Sequence, residues 1–95
     1  MRMTTNAAWI KVDPEHLADA LRQDAVEKVN GGESNVVLDF SSVVRIDGNV
    51  VRALEELAGL ADARSVAVVL RAVNVDIYRV LKQLGLAQRF SFDSE

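Results

Sequence analysis

Residues 35–49 read NVVLDFSSVVRIDGN, and this stretch decides the fold. It begins with a short apolar run that is rich in β-branched residues and lacks helical spacing: Val36, Val37, Leu38 and Phe40. Such a run is typical of a strand that is buried on both faces in the middle of a sheet. Asp47 stands directly before a long helical pattern, where its carboxylate can accept from the free N–H groups of the first turn. The stretch therefore predicts a central strand, a loop and a capped helix start, and we expect function at that helix start.

Upstream of this stretch, the pattern predicts a strand and then a helix. Residues 8–12 suit a short strand. Asp13 and Pro14 form a strong helix start, with Asp as the N-cap and Pro at the first helical position. The helix that follows carries one apolar stripe at four-residue steps, made of Leu17, Leu21, Ala25 and Val29. Asn30-Gly31-Gly32 ends it.

Downstream, the alternation continues to the end of the chain. Residues 48–63 predict a second amphipathic helix, and residues 66–70, VAVVL, predict a second doubly buried strand. Asn74 caps a third helix, and Gly85 stands just past its end. The inward face of this helix is predicted to hold Ile77, Val80, Leu81 and Leu84. Phe90 and Phe92 alternate as a last, half-exposed strand.

The resulting order, β-α-β-α-β-α-β, predicts an α/β fold with about four mostly parallel strands and helices packed on the sheet. We expect one domain over residues 1–95, with residues 1–6 loosely held because nothing obvious anchors them. Residues 12–13, 40–47 and 71–74 would then emerge at the carboxyl edge of the strands. In parallel sheets that edge is where ligands and partners bind.

Composition excludes several classes of function. The 95 residues include 49% hydrophobic and 26% charged residues, with a net charge of −3, which is typical of a globular protein and argues against nucleic acid as the main partner. No cysteine and a single histidine make a metal site improbable on donor chemistry. No apolar run matches a signal peptide or a membrane span, so we expect a cytoplasmic protein.

Catalysis gains little support from the residues. A nucleophilic serine needs a base within hydrogen-bond reach, and His16 is remote in sequence from Ser41 and Ser42. Gly48-Asn49 at a helix start could bind an anion, which leaves a small nucleotide- or anion-binding domain as an alternative. The chain has no GxGxxG or Walker pattern there. We expect no enzyme activity, no cofactor and no metal.

Two segments resemble the STAS domain family, named for sulphate transporters and anti-sigma factor antagonists. VVLDFSSVVRIDGNVVRAL is similar to the family's buried strand, loop and Asp-containing turn before a helix. AVNVDIYRVLKQLGLAQRF is similar to its third helix, Leu-Gly-Leu and terminal aromatic strand. The resemblance covers roughly residues 9–92 and rests on the ordered set of elements. It implies a module that binds other proteins and is not an enzyme.

Two departures from the family pattern matter. In switchable members the residue after the motif Asp is a phosphorylated serine or threonine, whereas here it is Gly48, which has no hydroxyl. Ser41 and Ser42 are the nearby hydroxyls that could replace it, although turn residues of this kind usually bond the local backbone. The segment before the first predicted helix is also too short for the family's opening pair of strands. The resemblance is therefore compatible with a domain that lacks the family's first strand.

The resemblance implies a partner surface formed by Asp13, Ser41, Ser42, Asp47, Gly48, Asn49 and Arg52. In one setting the partner is an anti-sigma factor or related kinase-like ATPase in bacterial partner switching and transcription regulation. In the alternative, the chain is the STAS subunit of a phospholipid-transporting ABC complex and binds the ATPase subunit, as the AVNVDIY segment suggests. A chemotaxis- or sensor-linked role is not separated from these by residues. The sequence leaves the oligomeric state open.

Overall fold

The computed structural model describes residues 7–93, so the expectation about residues 1–6 lies outside the described part. Four strands form one sheet: β1 Ala7–Lys11, β2 Asn35–Asp39, β3 Ala67–Arg71 and β4 Ser91–Asp93. Every neighbouring pair is parallel, and the spatial order is β1-β2-β3-β4. The predicted α/β fold is confirmed, and β2 lies inside the sheet as its apolar run indicated.

Three helices connect the strands. The first, α1, is built from consecutive segments, Leu17–Asp19, a π-helical Ala20–Ala25, and Val26–Asn30. The second, α2, spans Gly48–Arg64, and the third, α3, spans Val75–Gln83. Short 3₁₀ turns at Pro14–His16 and Ala87–Arg89 precede α1 and β4.

Strand order places all three helices on one side of the sheet. Each crossover joins a strand to its next neighbour in the same direction, and crossovers between parallel strands are right-handed. The helices therefore share one face, and the hydrophobic core lies between them and the sheet. The strand residues in that core are every second one along β2 and β3: Val36, Leu38, Val68 and Leu70.

The opposite face has no second layer among residues 7–93. Val37 is 8% exposed but does not belong to the core cluster, Val69 is half-buried, and Ala67 is exposed. Trp9 of β1 is 59% exposed. The prediction that the VAVVL strand is buried on both faces is therefore wrong, because all crossovers run one way and leave that face without a helix.

The four-residue stripe on α1 is confirmed, and the π-helical segment explains it. Leu17, Leu21, Ala25 and Val29 are all buried, at 4% exposure or less. Steps of four drift around a regular α-helix, which has 3.6 residues per turn. Bonding from residue i to i+5 places more residues in each turn, so the segment at Ala20–Ala25 offsets that drift. The stripe thereby stays on the sheet along the whole helix.

The end of α3 agrees with the sequence, but one flank of the helix does not. Gly85 adopts a φ of 76°, and the Leu86 N–H donates to the Leu81 carbonyl at 2.8 Å, as expected for a glycine-terminated helix. Val80 and Leu84, predicted to face inward, are 38% and 51% exposed. The described sheet ends at the three-residue β4, so no further strand covers that flank.

Candidate functional site

The carboxyl ends of the strands meet at one edge, as the sequence predicted. Backbone pairing continues beyond the strands, with Val12 N–H donating to the Asp39 carbonyl at 3.2 Å and Phe40 N–H to the Arg71 carbonyl at 2.8 Å. The segments after β1, β2 and β3 therefore leave the sheet side by side. The residues singled out from the sequence lie on the first two of these segments and on the α2 start.

Asp13 ends the first of these segments and caps the 3₁₀ turn before α1. Its carboxylate accepts from the Glu15 N–H at 2.9 Å, and its carbonyl accepts from the His16 N–H at 3.0 Å. Asp13, Glu15 and His16 are exposed. The predicted cap is confirmed, and it leaves the turn on the surface.

The loop after β2 is held by a second carboxylate. The Asp39 side chain accepts from the Ser41 N–H at 2.9 Å, while the Val43 N–H donates to the Phe40 carbonyl at 2.9 Å. The Ser41 backbone and side-chain hydrogen bonds lower the pKa of Asp39, and the charges of Lys11 and Arg71 lower it further. Ser41 and Ser42 are exposed on this loop.

Asp47 caps α2 as predicted. Its carboxylate accepts from the Val50 N–H at 2.9 Å, and its carbonyl accepts from the Val51 N–H at 3.0 Å. Gly48 and Asn49, the next two residues, are exposed. A side chain at Gly48 would meet nothing within 4 Å, and the backbone there is not in the left-handed region. The backbone thus does not require glycine at the position where the resemblance leads one to expect a residue with a hydroxyl.

Arg22 of α1 contacts the start of α2. Its guanidinium donates to the Asn49 side-chain oxygen at 3.0 Å and to Glu56 at 3.3 Å. Sequence reasoning missed this link, because nothing in the local pattern joins residues 27 positions apart. Arg52 is exposed on the next turn of α2.

A shallow depression of about 190 Å³ joins the two capped turns. One wall is formed by residues 14–19 and the other by Asp47, Asn49 and Val50. The structure therefore brings the turn next to Asp13 beside the α2 start. The serines lie on the loop leading into this helix.

Asn74 connects the third segment to the loop. Its side-chain oxygen accepts from the Ile77 N–H at 2.8 Å, which confirms the predicted cap of α3. Its amide group also donates to the Val44 carbonyl at 2.9 Å, a role that the sequence did not reveal. On either side of this contact, Val44 is 72% exposed and Val75 is 63% exposed. The site therefore combines a polar helix start with exposed apolar side chains, which suits protein binding.

Within residues 7–93, no cluster of three or more His, Cys, Asp or Glu side chains could hold a metal ion. Nor does any helix in that part of the chain have the length and apolarity to cross a membrane.

The model of the STAS domain family matches residues 15–95. The chain belongs to the STAS domain family. A search among curated proteins found no significant match. The resemblance seen in the sequence is thereby confirmed at the level of the family.

Solved structures of the same fold support the STAS architecture. A Thermotoga maritima protein assigned as an anti-sigma factor antagonist superposes with a TM-score of 0.79 at 16% identity, covering 99% of this chain and 84% of that one. Its NMR structure gives a TM-score of 0.77 at 15% identity, covering 98% and 78%. A sulfate transporter family protein from Wolinella succinogenes gives 0.77 at 19% identity, covering 98% and 81%. At these identities the likeness shows the fold alone.

Proposed function

We propose that this STAS chain is a single, non-catalytic protein-binding module of bacterial regulation, of the anti-sigma factor antagonist type. Its partner docks at the start of α2 and on the segments beside it. The contact residues are Asp13, Ser41, Ser42, Asp47, Gly48, Asn49 and Arg52.

The observation that carries the proposal is the geometry of the α2 start. Gly48 and Asn49 project at the sheet edge from a helix that is capped by Asp47 and fixed to α1 through Arg22. A partner therefore meets a rigid surface, so little side-chain freedom is lost on binding. Val44 and Val75 supply apolar area next to it.

Binding at this surface is not switched by phosphate at Gly48. A phosphate at a helix N-terminus would add about −1.5 to −2 charges beside the bound partner. Glycine cannot accept a phosphate, so a kinase cannot change the affinity for the partner by modifying this position. Regulation would then come from the abundance of the partner or from another site.

The favoured setting is cytoplasmic partner switching, in which the partner is an anti-sigma factor or related kinase-like ATPase. The family membership and the fold shared with a protein assigned as an anti-sigma factor antagonist support it. The alternative setting is a phospholipid-transport ABC complex, in which the partner is the ATPase subunit. Both settings use the same surface, so the identity of the partner separates them.

Capture from a cell extract tests the site. Tagged wild type is compared with Asn49→Arg, which adds bulk and repels Arg22, and with Ala63→Arg on an exposed turn at the other end of α2. We expect a single main partner, retained by Ala63→Arg and lost by Asn49→Arg, with circular dichroism unchanged. Equal capture by both variants would remove the α2 start as the binding site.

Thermal-shift measurements with nucleotides, phosphate and divalent metals test the non-catalytic assignment. We expect no saturable change in melting temperature. A saturable rise with one nucleotide would contradict the proposal and support the small nucleotide- or anion-binding domain instead.

A further inference from the structure

The face of the sheet turned away from the helices carries a regular pattern of charge. One residue from each strand lies in the same row, in register across the sheet and pointing away from the core: Lys11, Asp39, Arg71 and Asp93. Their charges alternate along the row as plus, minus, plus, minus. We refer to this face of the sheet as the open face, and this row and the one before it form most of its surface.

The second row of the open face is mostly apolar and consists of Trp9, Val37, Val69 and Ser91. The Arg71 guanidinium carbon lies 5.3 Å from the centre of the Trp9 ring and its NH1 nitrogen lies 3.3 Å from an Asp93 carboxylate oxygen. Val37 lies in the row between Trp9 and Val69 and is 8% exposed without a helix above it. Trp9 itself remains 59% exposed.

The two rows are self-complementary under one symmetry operation. A two-fold axis nearly parallel to the strands, midway between β2 and β3, exchanges β1 with β4 and β2 with β3. Lys11 then faces the partner's Asp93, and Asp39 faces the partner's Arg71, so every charge meets its opposite. In the other row, Val37 faces the partner's Val69.

The remaining pair also fits in size. Trp9 faces the partner's Ser91, a small residue that leaves space for the indole ring. Sheets that pack face to face keep their strands within about 30° of each other, which this axis allows. An axis perpendicular to the strands would instead set the charged row against the row of Asn35 and Ala67, which carry no charge.

We propose that the open face is a dimer interface whose occupant is a second copy of this chain, related by the axis along the strands. The inference is independent of the proposed partner site, since the α2 start lies on the other side of the sheet. Charge complementarity points to a second copy, because a copy presents the same alternating row in the complementary order.

The size of the face sets the strength of the dimer. Three strands of five residues and one of three, about 4.8 Å apart with about 3.3 Å per residue, give a patch of roughly 300 Å². Stable complexes bury about 800 Å² per partner. We therefore expect a weak, reversible dimer, which high salt weakens further.

The chain contains a reporter for this interface. Trp9 is its single tryptophan. Dimerisation would bury the ring, so its fluorescence maximum should shift to the blue as protein concentration rises, in parallel with the mass measured by sedimentation equilibrium. Trp9→Ala, which removes an exposed side chain, should stay folded and sediment as a monomer.

A charge exchange gives the sharpest test. Lys11→Glu alone sets a second carboxylate against the partner's Asp93, and Asp93→Lys alone sets two ammonium groups against each other, so each variant should bind itself at least tenfold more weakly. Mixed in equal amounts, they should form a heterodimer of wild-type affinity, because opposite charges again face each other across the interface. Lys28→Glu, on an exposed position of α1, is the control and should leave the dimer intact.

Three results would overturn the proposal: a wild type that stays monomeric up to millimolar concentration, a Lys11→Glu variant that dimerises as well as wild type, or no association in the mixture. Circular dichroism and melting of each variant establish that it is folded. The partner capture with Asn49→Arg is read separately, so failure of the dimer and failure of the α2 site are distinguishable.

Discussion

The two faces of this sheet are built from alternate residues of the same strands, yet one packs against the helices and the other has no second layer among residues 7–93. Val36 and Val37 are neighbours in β2 and are both buried, but Val36 lies in the core under the helices and Val37 lies on the open face between Trp9 and Val69. A residue of low exposure is therefore not always a member of the core. Strand order decides which residues stabilise the fold and which are left for recognition.

The largest expected effect is the loss of stability when Val36 is truncated, and truncation of Val37 is the comparison. Val36→Ala removes two methyl groups from a position with 0% exposure, and we expect a loss of about 2 to 3 kcal/mol in the free energy of unfolding. Val37→Ala should cost less than about 1 kcal/mol, because the side chains beside it on the open face can settle into the space. Urea denaturation measures both.

Equal losses from the two variants would show that the open face is packed like the core. The distinction between the faces would then be lost, and with it the argument for a recognition surface there.

The face of the sheet that packs against the helices, which we call the covered face, also depends on the cap of α2. Asp47→Ala removes the acceptor of the Val50 N–H and should cost about 1 kcal/mol, whereas Asp47→Asn keeps an acceptor and should cost a few tenths. Thermal unfolding followed by circular dichroism measures both changes. If Asp47→Ala has the same melting temperature as wild type, this carboxylate does not hold the α2 start, and the rigidity of that start has another source.

Much of the covered face could be predicted from the sequence, and the open face could not. The stripe of α1, the caps Asp47 and Asn74, and the Gly85 terminus follow from local patterns and were confirmed. VAVVL reads as doubly buried because an apolar run has the same composition whether a helix or solvent lies above it. Only the strand order, a long-range property, shows that Val69 has no helix over it.

The candidate site likewise has features that could be predicted from the sequence and features that could not. Asp13 and Asp47 were predicted because a capping residue acts on its own helix, within two or three positions. The Arg22 link to Asn49 and the Asn74 link to Val44 join residues about 30 positions apart, so no window of sequence contains both partners. The exposure of Val80 was missed because the sequence does not show where the sheet ends.

A smaller effect is expected at Ala72, just after β3. Its φ of 62° is left-handed, which costs a residue with a Cβ about 1 to 2 kcal/mol, and glycine relieves this at some cost in chain entropy. Ala72→Gly should therefore stabilise the protein by about 0.5 kcal/mol. Ala63→Gly, in the helical α2, is the matched control and should destabilise by up to about 1 kcal/mol. If both variants changed the free energy of unfolding in the same direction, the backbone at Ala72 would not be strained.

The smallest effect concerns the titration of Asp39 on the open face. Its pKa is lowered from 3.8 by the hydrogen bonds from Ser41, so the folded state favours the charged form. That stabilisation is fully present above pH 3.8 and is lost as the pH falls through the lower folded value. Asp39→Asn should therefore lose less stability than wild type as the pH falls below 3.8, as read from urea midpoints. If the stabilities of wild type and Asp39→Asn changed in parallel with pH, folding would not lower the pKa of Asp39.

Hydrogen–deuterium exchange of the chain in complex with its captured protein partner measures directly whether the partner docks at the α2 start. The first N–H groups of a helix lack partners within the helix, so those of Gly48 and Asn49 should exchange fast in the free protein. We predict that the partner slows exchange over residues 41–52 and leaves β1 and β3 unchanged. Slowed exchange confined to the strands of the open face, with residues 41–52 unaffected, would contradict the assignment of the α2 start as the partner site.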